Sequence, residues 1–147
     1  MNEMNHTDYP RVLSATKLMG NKVVNTAGEQ LGTMKELMID LDDGLVAYAV
    51  LSFGGFLGLG DKLFAIPWEA LTFNFDDQTF ILDVDKEVLE DAPGFDKDHW
   101  PDNAKYEAGW LLGVYEYYGY SPYWMPDKDD EEFEEQIEDS SSAEVDQ

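Results

Sequence analysis

The stretch that decides the fold, residues 52–71, reads SFGGFLGLGDKLFAIPWEAL. Four of its glycines fall within seven residues, and an apolar run lies on each side of them, at 46–53 and at 63–67. This layout is typical of two β-strands joined by a loop, because glycine adopts backbone conformations that other residues avoid. We expect the loop to lie over apolar surface or to offer apolar side chains to a partner. The apolar side chains of the loop are Phe56, Leu57 and Leu59.

The chain before this stretch predicts a β-hairpin. Residues 30–41 alternate in polarity, which places Leu31, Leu37, Ile39 and Leu41 on one face of a strand. Lys35 interrupts that face, so we expect a bulge or a sheet edge there. The sequence Asp-Asp-Gly at 42–44 is a strong hairpin signal. Residues 45–53 follow and are apolar on both faces, as in a strand that is buried on both sides.

Further short strands are predicted at 63–67, 71–75 and 79–84, with turns between them. Five or six antiparallel strands of this length predict a mainly β fold, a small antiparallel β-barrel that is closed or half-closed. Ser14 is positioned to cap a helical turn at 15–19. We divide the chain into a flexible N-terminus at 1–10, the barrel at 11–94, an aromatic C-terminal extension at 95–126 and a disordered acidic tail at 127–147.

The C-terminal extension is dense in aromatic residues. Apolar residues recur three and four apart between 104 and 118, which predicts an amphipathic helix that ends near Gly119. Residues 117–124 hold five large aromatic side chains and no charge. Rings of this size are costly to leave in water, so we expect the extension to pack on the barrel near Trp68 and the glycine loop.

An ordered set of short motifs resembles the PRC-barrel domain family, named after the cytoplasmic domain of the photosynthetic reaction-centre H subunit. The resemblance covers about residues 13–124 and implies a small β-barrel with an adaptor role, since family members bind partner proteins. One member packs against membrane redox subunits, and another binds a ribosomal protein. The motifs, in order, are LSATKLMG at 13–20, VVN at 23–25, GEQLG at 28–32, DLDDG at 40–44, VAYAVLSF at 46–53, the glycine loop ending in Asp61-Lys62, PW at 67–68, AL at 70–71 and APGFD at 92–96.

The charge of the chain limits its partners. Its 147 residues include 32 acidic and nine basic ones, for a formal net charge of −23, and 11 of the acids follow Pro126. Nucleic-acid binding needs clustered cations, which the chain lacks, and an anionic membrane surface would repel it. Two interpretations of the acidity stay open: solubility in a salty cytoplasm, or recognition of a basic partner protein.

The sequence predicts neither membrane insertion nor export. The polar N-terminus has no apolar run typical of a signal peptide, and no apolar stretch is long enough to cross a bilayer. The chain has no cysteine, which excludes disulfides and thiolate chemistry and fits a reducing compartment. We therefore expect a soluble cytoplasmic protein.

The residues that could carry chemistry are few, and we expect no cofactor or metal. The glycine loop precedes a strand rather than a helix, unlike a phosphate-binding loop. The acids at 40–43 do not continue as a calcium-binding loop, because the twelfth position is Leu51 rather than glutamate. With His6 and His99 as the only histidines, a Ser-His-Asp triad would need His99. A carboxylate-dependent enzyme stays open as the weakest alternative, since carboxylates are abundant.

We therefore expect a non-enzymatic protein-binding or adaptor module. The alternative is a self-associating structural or stress-related acidic protein, that is, a homo-oligomer. Trp68 has two interpretations: it caps the barrel mouth, or it joins the glycine loop in an exposed patch. The candidate partner-binding residues are Phe56, Leu57, Leu59, Trp68, Tyr118, Tyr123 and Trp124.

Overall fold

The computed structural model describes residues 10–54, 61–101 and 108–125. The glycine loop at 55–60 and the acidic tail at 127–147, with the expectations made for them, lie outside the described residues, as does most of the N-terminus. The strands are β1 (Lys22–Val24), β2 (Gln30–Asp40), β3 (Leu45–Gly54), β4 (Asp61–Ile66), β5 (Leu71–Asn74) and β6 (Thr79–Leu82). The helices are α1 (Ala15–Leu18), α2 (Lys86–Glu90) and α3 (Ala108–Tyr118), with a 3-10 turn at Trp68–Ala70.

The six strands form one curled sheet in the order β4-β3-β2-β1-β6-β5. The mainly β, half-closed barrel expected from the sequence is confirmed. One pairing departs from the all-antiparallel expectation, because β1 and β6 run parallel, with Val23 opposite Phe80. A parallel pair needs a long crossover between its strands, and β2 to β5 together provide it.

Strand β2 bulges where the sequence predicted. Its register against β3 shifts between Met34 and Glu36, so Lys35 is the extra residue. The bulge lets Met34 and Leu37, three residues apart, both pack towards the interior of the barrel. Ile39 and Leu41, which the sequence places on one face with Leu31 and Leu37, are 50% and 89% exposed, whereas Leu31 is fully buried.

The exposure of the hairpin end has a geometric cause. Strand β1 pairs with β2 only at residues 30–33, whereas β3 stays paired as far as Asp40. Beyond β1, none of the strands in the described part of the chain lies beside the β2–β3 hairpin on that edge. Its apolar side chains project past the interior of the barrel instead of into it.

Two apolar clusters lie on opposite faces of β3 and β4. Ala49 and Leu51 of β3 belong to the inner cluster, whereas Tyr48 and Val50 belong to the outer cluster. Burial on both faces is what the apolar run at 45–53 predicted. The outer cluster is completed by α3, whose contributions are Leu111, Val114 and Tyr115.

Two polar side chains near the start of the chain, Ser14 and Asn25, form hydrogen bonds that stabilise the fold. Ser14 precedes α1 but does not cap it, because its Oγ is hydrogen-bonded to Oγ1 of Thr16 at 2.6 Å. Asn25 is buried, and its Oδ1 accepts hydrogen bonds from the backbone N–H groups of Ala27 and Glu29. Its Nδ2 donates to the carbonyl of Val84, which fastens the β1–β2 turn to the end of β6.

Candidate binding cleft

The hairpin between β2 and β3 forms one wall of the site. The Oδ1 atom of Asp40 accepts hydrogen bonds from the backbone N–H groups of Asp42 (3.0 Å) and Asp43 (3.2 Å). Gly44 closes the turn with a φ of 67°, a conformation that favours glycine. Local geometry thus holds three carboxylates together at the tip of the hairpin.

A second bulge ties this hairpin to α3. Met38 pairs with Tyr48 and Ile39 pairs with Val46, so Ala47 has no residue opposite it in β2. The Ala47 carbonyl instead accepts a 2.7 Å hydrogen bond from the hydroxyl of Tyr115, which is fully buried. This bond gives a backbone acceptor at the bulge a buried side-chain donor.

The segment after α3 returns towards the hairpin. Gly119 has a φ of 81° and ends the helix, while the backbone N–H of Tyr120 donates to the carbonyl of Tyr115. After the buried Pro122, the hydroxyl of Tyr123 donates a 2.5 Å hydrogen bond to Oδ2 of Asp40. The extension therefore packs on the barrel, as expected.

The position of the extension differs from the prediction. Tyr123 and Trp124 pack against the outer cluster, whereas Trp68 packs in the inner cluster, with its ring 6.1 Å from that of Phe80. The extension covers the outer face because β3 and β4 present apolar side chains on both faces. The half-buried Trp68 fits its interpretation as a structural cap.

A cleft of about 730 Å³ remains between the hairpin, the outer face of β3 and the extension. The walls include five aromatic rings, and the Tyr123 and Trp124 rings stand nearly perpendicular, at 86°, with their centroids 5.0 Å apart. The rim carries Asp40, Asp42 and Asp43. The aromatic residues of the lining are Tyr48, Phe95, Trp110, Tyr123 and Trp124.

The charge of the cleft is negative. The described lining contains three aspartates and His99 but neither lysine nor arginine. The Tyr123 hydroxyl and the two turn N–H groups stabilise the Asp40 carboxylate and hold its pKa below its usual value, against a small opposing effect of burial. The hydrogen bond from His99 is the main cause that lowers the pKa of Asp96. Both aspartates are therefore ionised at neutral pH.

Of the seven predicted site residues, the structure brings two together in the cleft, Tyr123 and Trp124. Phe56, Leu57 and Leu59 lie outside the described residues. Tyr118 is half-buried between the two clusters, and its hydroxyl has no hydrogen-bond partner among the described residues. Burial raises the pKa of this phenol, so it stays protonated.

The remaining walls of the cleft were not predicted from the sequence. Residues 40–44 were predicted to form a hairpin turn, and Tyr48, Phe95 and Trp110 were not predicted to be binding residues. One available signal was the two-sided apolar pattern of β3. A tyrosine on the outer face of such a strand, as at Tyr48, implies that another element covers it.

A metal centre and a nucleophile in the cleft are two further features that could give the described residues a chemical role. No group of three histidine, aspartate or glutamate side chains within 10–54, 61–101 and 108–125 is arranged to hold a metal ion. His99 is paired with Asp96 through its Nδ1 at 2.7 Å, but the described lining of the cleft has no serine or threonine to serve as a nucleophile. None of the helices in the described part of the chain is long and apolar enough to span a membrane.

Comparison with known proteins identifies the family. The PRC-barrel domain matches residues 10–89, more than half of the chain, and the protein belongs to that family. A search of curated proteins finds no match. Among solved structures, a Pseudomonas aeruginosa protein described as a candidate 16S ribosomal RNA processing protein, RimM, is similar with a TM-score of 0.36 and 18% identity. The match covers 57% of this chain and 50% of that one, so the chain spans half the length of the RimM protein.

Proposed function

We propose that this protein is a non-enzymatic protein-binding module and that the cleft between the hairpin and the extension is its binding site. The observation that carries the proposal is the cleft itself, about 730 Å³ in volume and lined by five aromatic rings. This volume lies in the range of about 300–1,000 Å³ that is usual for binding pockets. Tyrosine and tryptophan are also the side chains that interfaces use as anchors.

Exposed apolar side chains on the hairpin belong to this surface, and two of them, Ile39 and Leu41, line the cleft itself. Leu41 is 89% exposed at the tip of the hairpin, and Ile39 and Leu45 are about half exposed next to it. A single exposed leucine is ordinary, but apolar side chains next to an aromatic cleft are a feature of interaction sites. The surface is therefore larger than one small molecule needs, which favours a polypeptide ligand.

Self-association is the second candidate function, because the exposed hairpin tip of one copy could enter the cleft of another. Charge opposes it, since the rim aspartates of two copies would face each other in a chain of net charge −23. Size-exclusion chromatography with light scattering from low to high salt distinguishes the two. An adaptor stays monomeric throughout, whereas screening of the repulsion would promote a homo-oligomer.

The binding proposal is tested with two variants matched for exposure. Leu41→Asn alters a side chain that lines the cleft without changing its charge, and Val12→Asn alters a side chain that is 85% exposed and does not line the cleft. Both should fold like the parent. In pull-downs from native lysate, we expect Leu41→Asn to lose the partners that the parent and Val12→Asn retain. Equal retention by both variants would contradict the proposed site.

A further inference from the structure

We propose that the cleft recognises a lysine or arginine side chain within a basic segment of the partner protein. This inference rests on the proposed function and adds the chemistry of the ligand. Three features of the cleft support it: the arrangement of its aromatic rings, the charge of its rim and the apolar surface beside it.

Aromatic side chains line the cleft, so a cation that enters it would lie beside ring systems. Tyr123 and Trp124 meet in a T-shaped contact and both also pack against Tyr115, and Trp110 lies edge-on to Tyr48 at 5.4 Å. A cation within about 6 Å of a ring face is attracted by the quadrupole of the ring, most strongly for tryptophan. A neutral aliphatic side chain would gain only the apolar contact.

The rim adds opposite charge that the fold does not neutralise. Asp40 already accepts hydrogen bonds from Tyr123 and from two backbone N–H groups. Asp42 and Asp43 are exposed, and neither forms an ion pair with the described residues. They are therefore available to a cation that enters between the hairpin and the aromatic walls, whereas an acidic segment would be repelled.

The surroundings favour a polypeptide over a free amine. Ile39 and Leu41 both line the cleft on its hairpin side, and their side chains are 50% and 89% exposed. A basic side chain in the cleft would place its neighbours in the partner against these exposed apolar residues. The stems of lysine and arginine are themselves apolar and would lie along the aromatic walls.

The test selects peptides of about 12 residues from a random library on the immobilised full-length protein, and measures affinity for a selected peptide at about 50 mM salt. The rim variant is Asp42→Asn/Asp43→Asn. Its matched control is Asp76→Asn/Asp77→Asn, which removes the same charge from the β5–β6 turn. There Asn74 Oδ1 accepts hydrogen bonds from the backbone N–H groups of Asp76 and Asp77, as Asp40 Oδ1 does from Asp42 and Asp43. Chemical shifts of the labelled protein locate the bound peptide.

We expect the selected peptides to be enriched in lysine and arginine. The rim variant should bind about fivefold more weakly, from two exposed charge pairs, and the control less than about twofold. Shift changes should concentrate at residues 41–43 and at the Trp124 indole. Equal weakening of both variants would reveal a general attraction to the acidic chain and would overturn the inference.

Two other outcomes distinguish failure of this inference from failure of the proposed binding function. Peptides that bind in the cleft without basic residues would overturn this inference and leave the proposed binding function in place. Failure to select any peptide, together with a dimer in light scattering, would contradict both.

Discussion

The hydroxyl of Tyr123 donates a hydrogen bond to the carboxylate of Asp40, 83 residues earlier in the chain. This bond joins the end of the C-terminal extension to the tip of the β2–β3 hairpin. The two residues line the same cleft, so the contact fixes the relative position of its two walls. The extension is therefore part of the folded unit and of the proposed binding surface.

This contact predicts a pH dependence. The Tyr123 hydrogen bond is the largest cause that lowers the pKa of Asp40 from its usual 3.8, so its stabilising effect is present above that pH and is lost as the pH falls through the lowered pKa of the folded state. In Tyr123→Phe, we expect the Asp40 pKa, followed by NMR, to rise towards 3.8. The pKa of Asp96, which is lowered mainly by His99, serves as the internal control and should not move.

The free energy of unfolding of Tyr123→Phe, compared with the parent across pH, tests the same contact independently. The parent should be more stable than Tyr123→Phe at neutral pH, and the difference should shrink as the carboxylate is protonated below about pH 4. A difference that is constant across this range would mean that Tyr123 acts through packing alone.

The buried hydroxyl of Tyr115 gives a second prediction. Tyr115→Phe removes the donor that satisfies the Ala47 carbonyl at the bulge, and we expect a loss of about 1–3 kcal/mol in the free energy of unfolding. Tyr120→Phe, at a position that is 38% exposed, is the control and should change stability by less than about 0.5 kcal/mol. Denaturant titration measures both. Equal stability of Tyr115→Phe and the parent would show that water satisfies the carbonyl.

Alanine substitutions at two glycines should change the stability of the protein in opposite directions. Gly32 has a φ of 149°, and a Cβ atom there would collide with the carbonyl oxygen of Ser52 in β3. Gly32→Ala should therefore destabilise the barrel by more than about 1 kcal/mol. Gly113 lies on α3 with open space around its Cβ position, so Gly113→Ala should be neutral or stabilising by up to about 1 kcal/mol. Similar denaturation midpoints for the two variants would contradict this assignment.

Truncation tests the contribution of the extension. A chain that ends after Gly113 loses Val114 and Tyr115 from the outer cluster and exposes the outer face of β3 and β4. We expect a loss of several kcal/mol, at about 1.5–3 kcal/mol for each large buried side chain, and stronger binding of a hydrophobic dye.

The control for this truncation is a chain that ends after Pro126, which lacks only the acidic, apolar-poor tail. Its thermal midpoint should stay within about 5 °C of the parent, since such segments bury little surface. If both truncated chains have the same thermal midpoint as the parent, the extension does not stabilise the barrel.

The sequence predicted what local patterns determine. The Asp-Asp-Gly turn, the two-sided burial of β3 and the bulge at Lys35 follow from turn chemistry and from the polarity of neighbouring residues. The exposure of Ile39 and Leu41 did not follow, because it depends on where β1 ends beside β2, a tertiary property.

The site was harder to predict from the sequence than the fold was. Tyr123 and Trp124 stood out because they lie in a charge-free aromatic segment. Their partners on the hairpin, above all Asp40, did not, since the residues between them in the chain give no local sign of the contact. The parallel pairing of β1 with β6 was missed for the same reason.

The most direct test of the binding cleft is site-specific photocrosslinking in the full-length protein inside cells. A photoreactive phenylalanine replaces Leu41 beside the cleft in one variant and the equally exposed Val12 in the other. We predict a discrete adduct with a different protein from position 41 and none from position 12. Equal adducts from both positions, or only an adduct of twice the protein's own mass, would contradict the account.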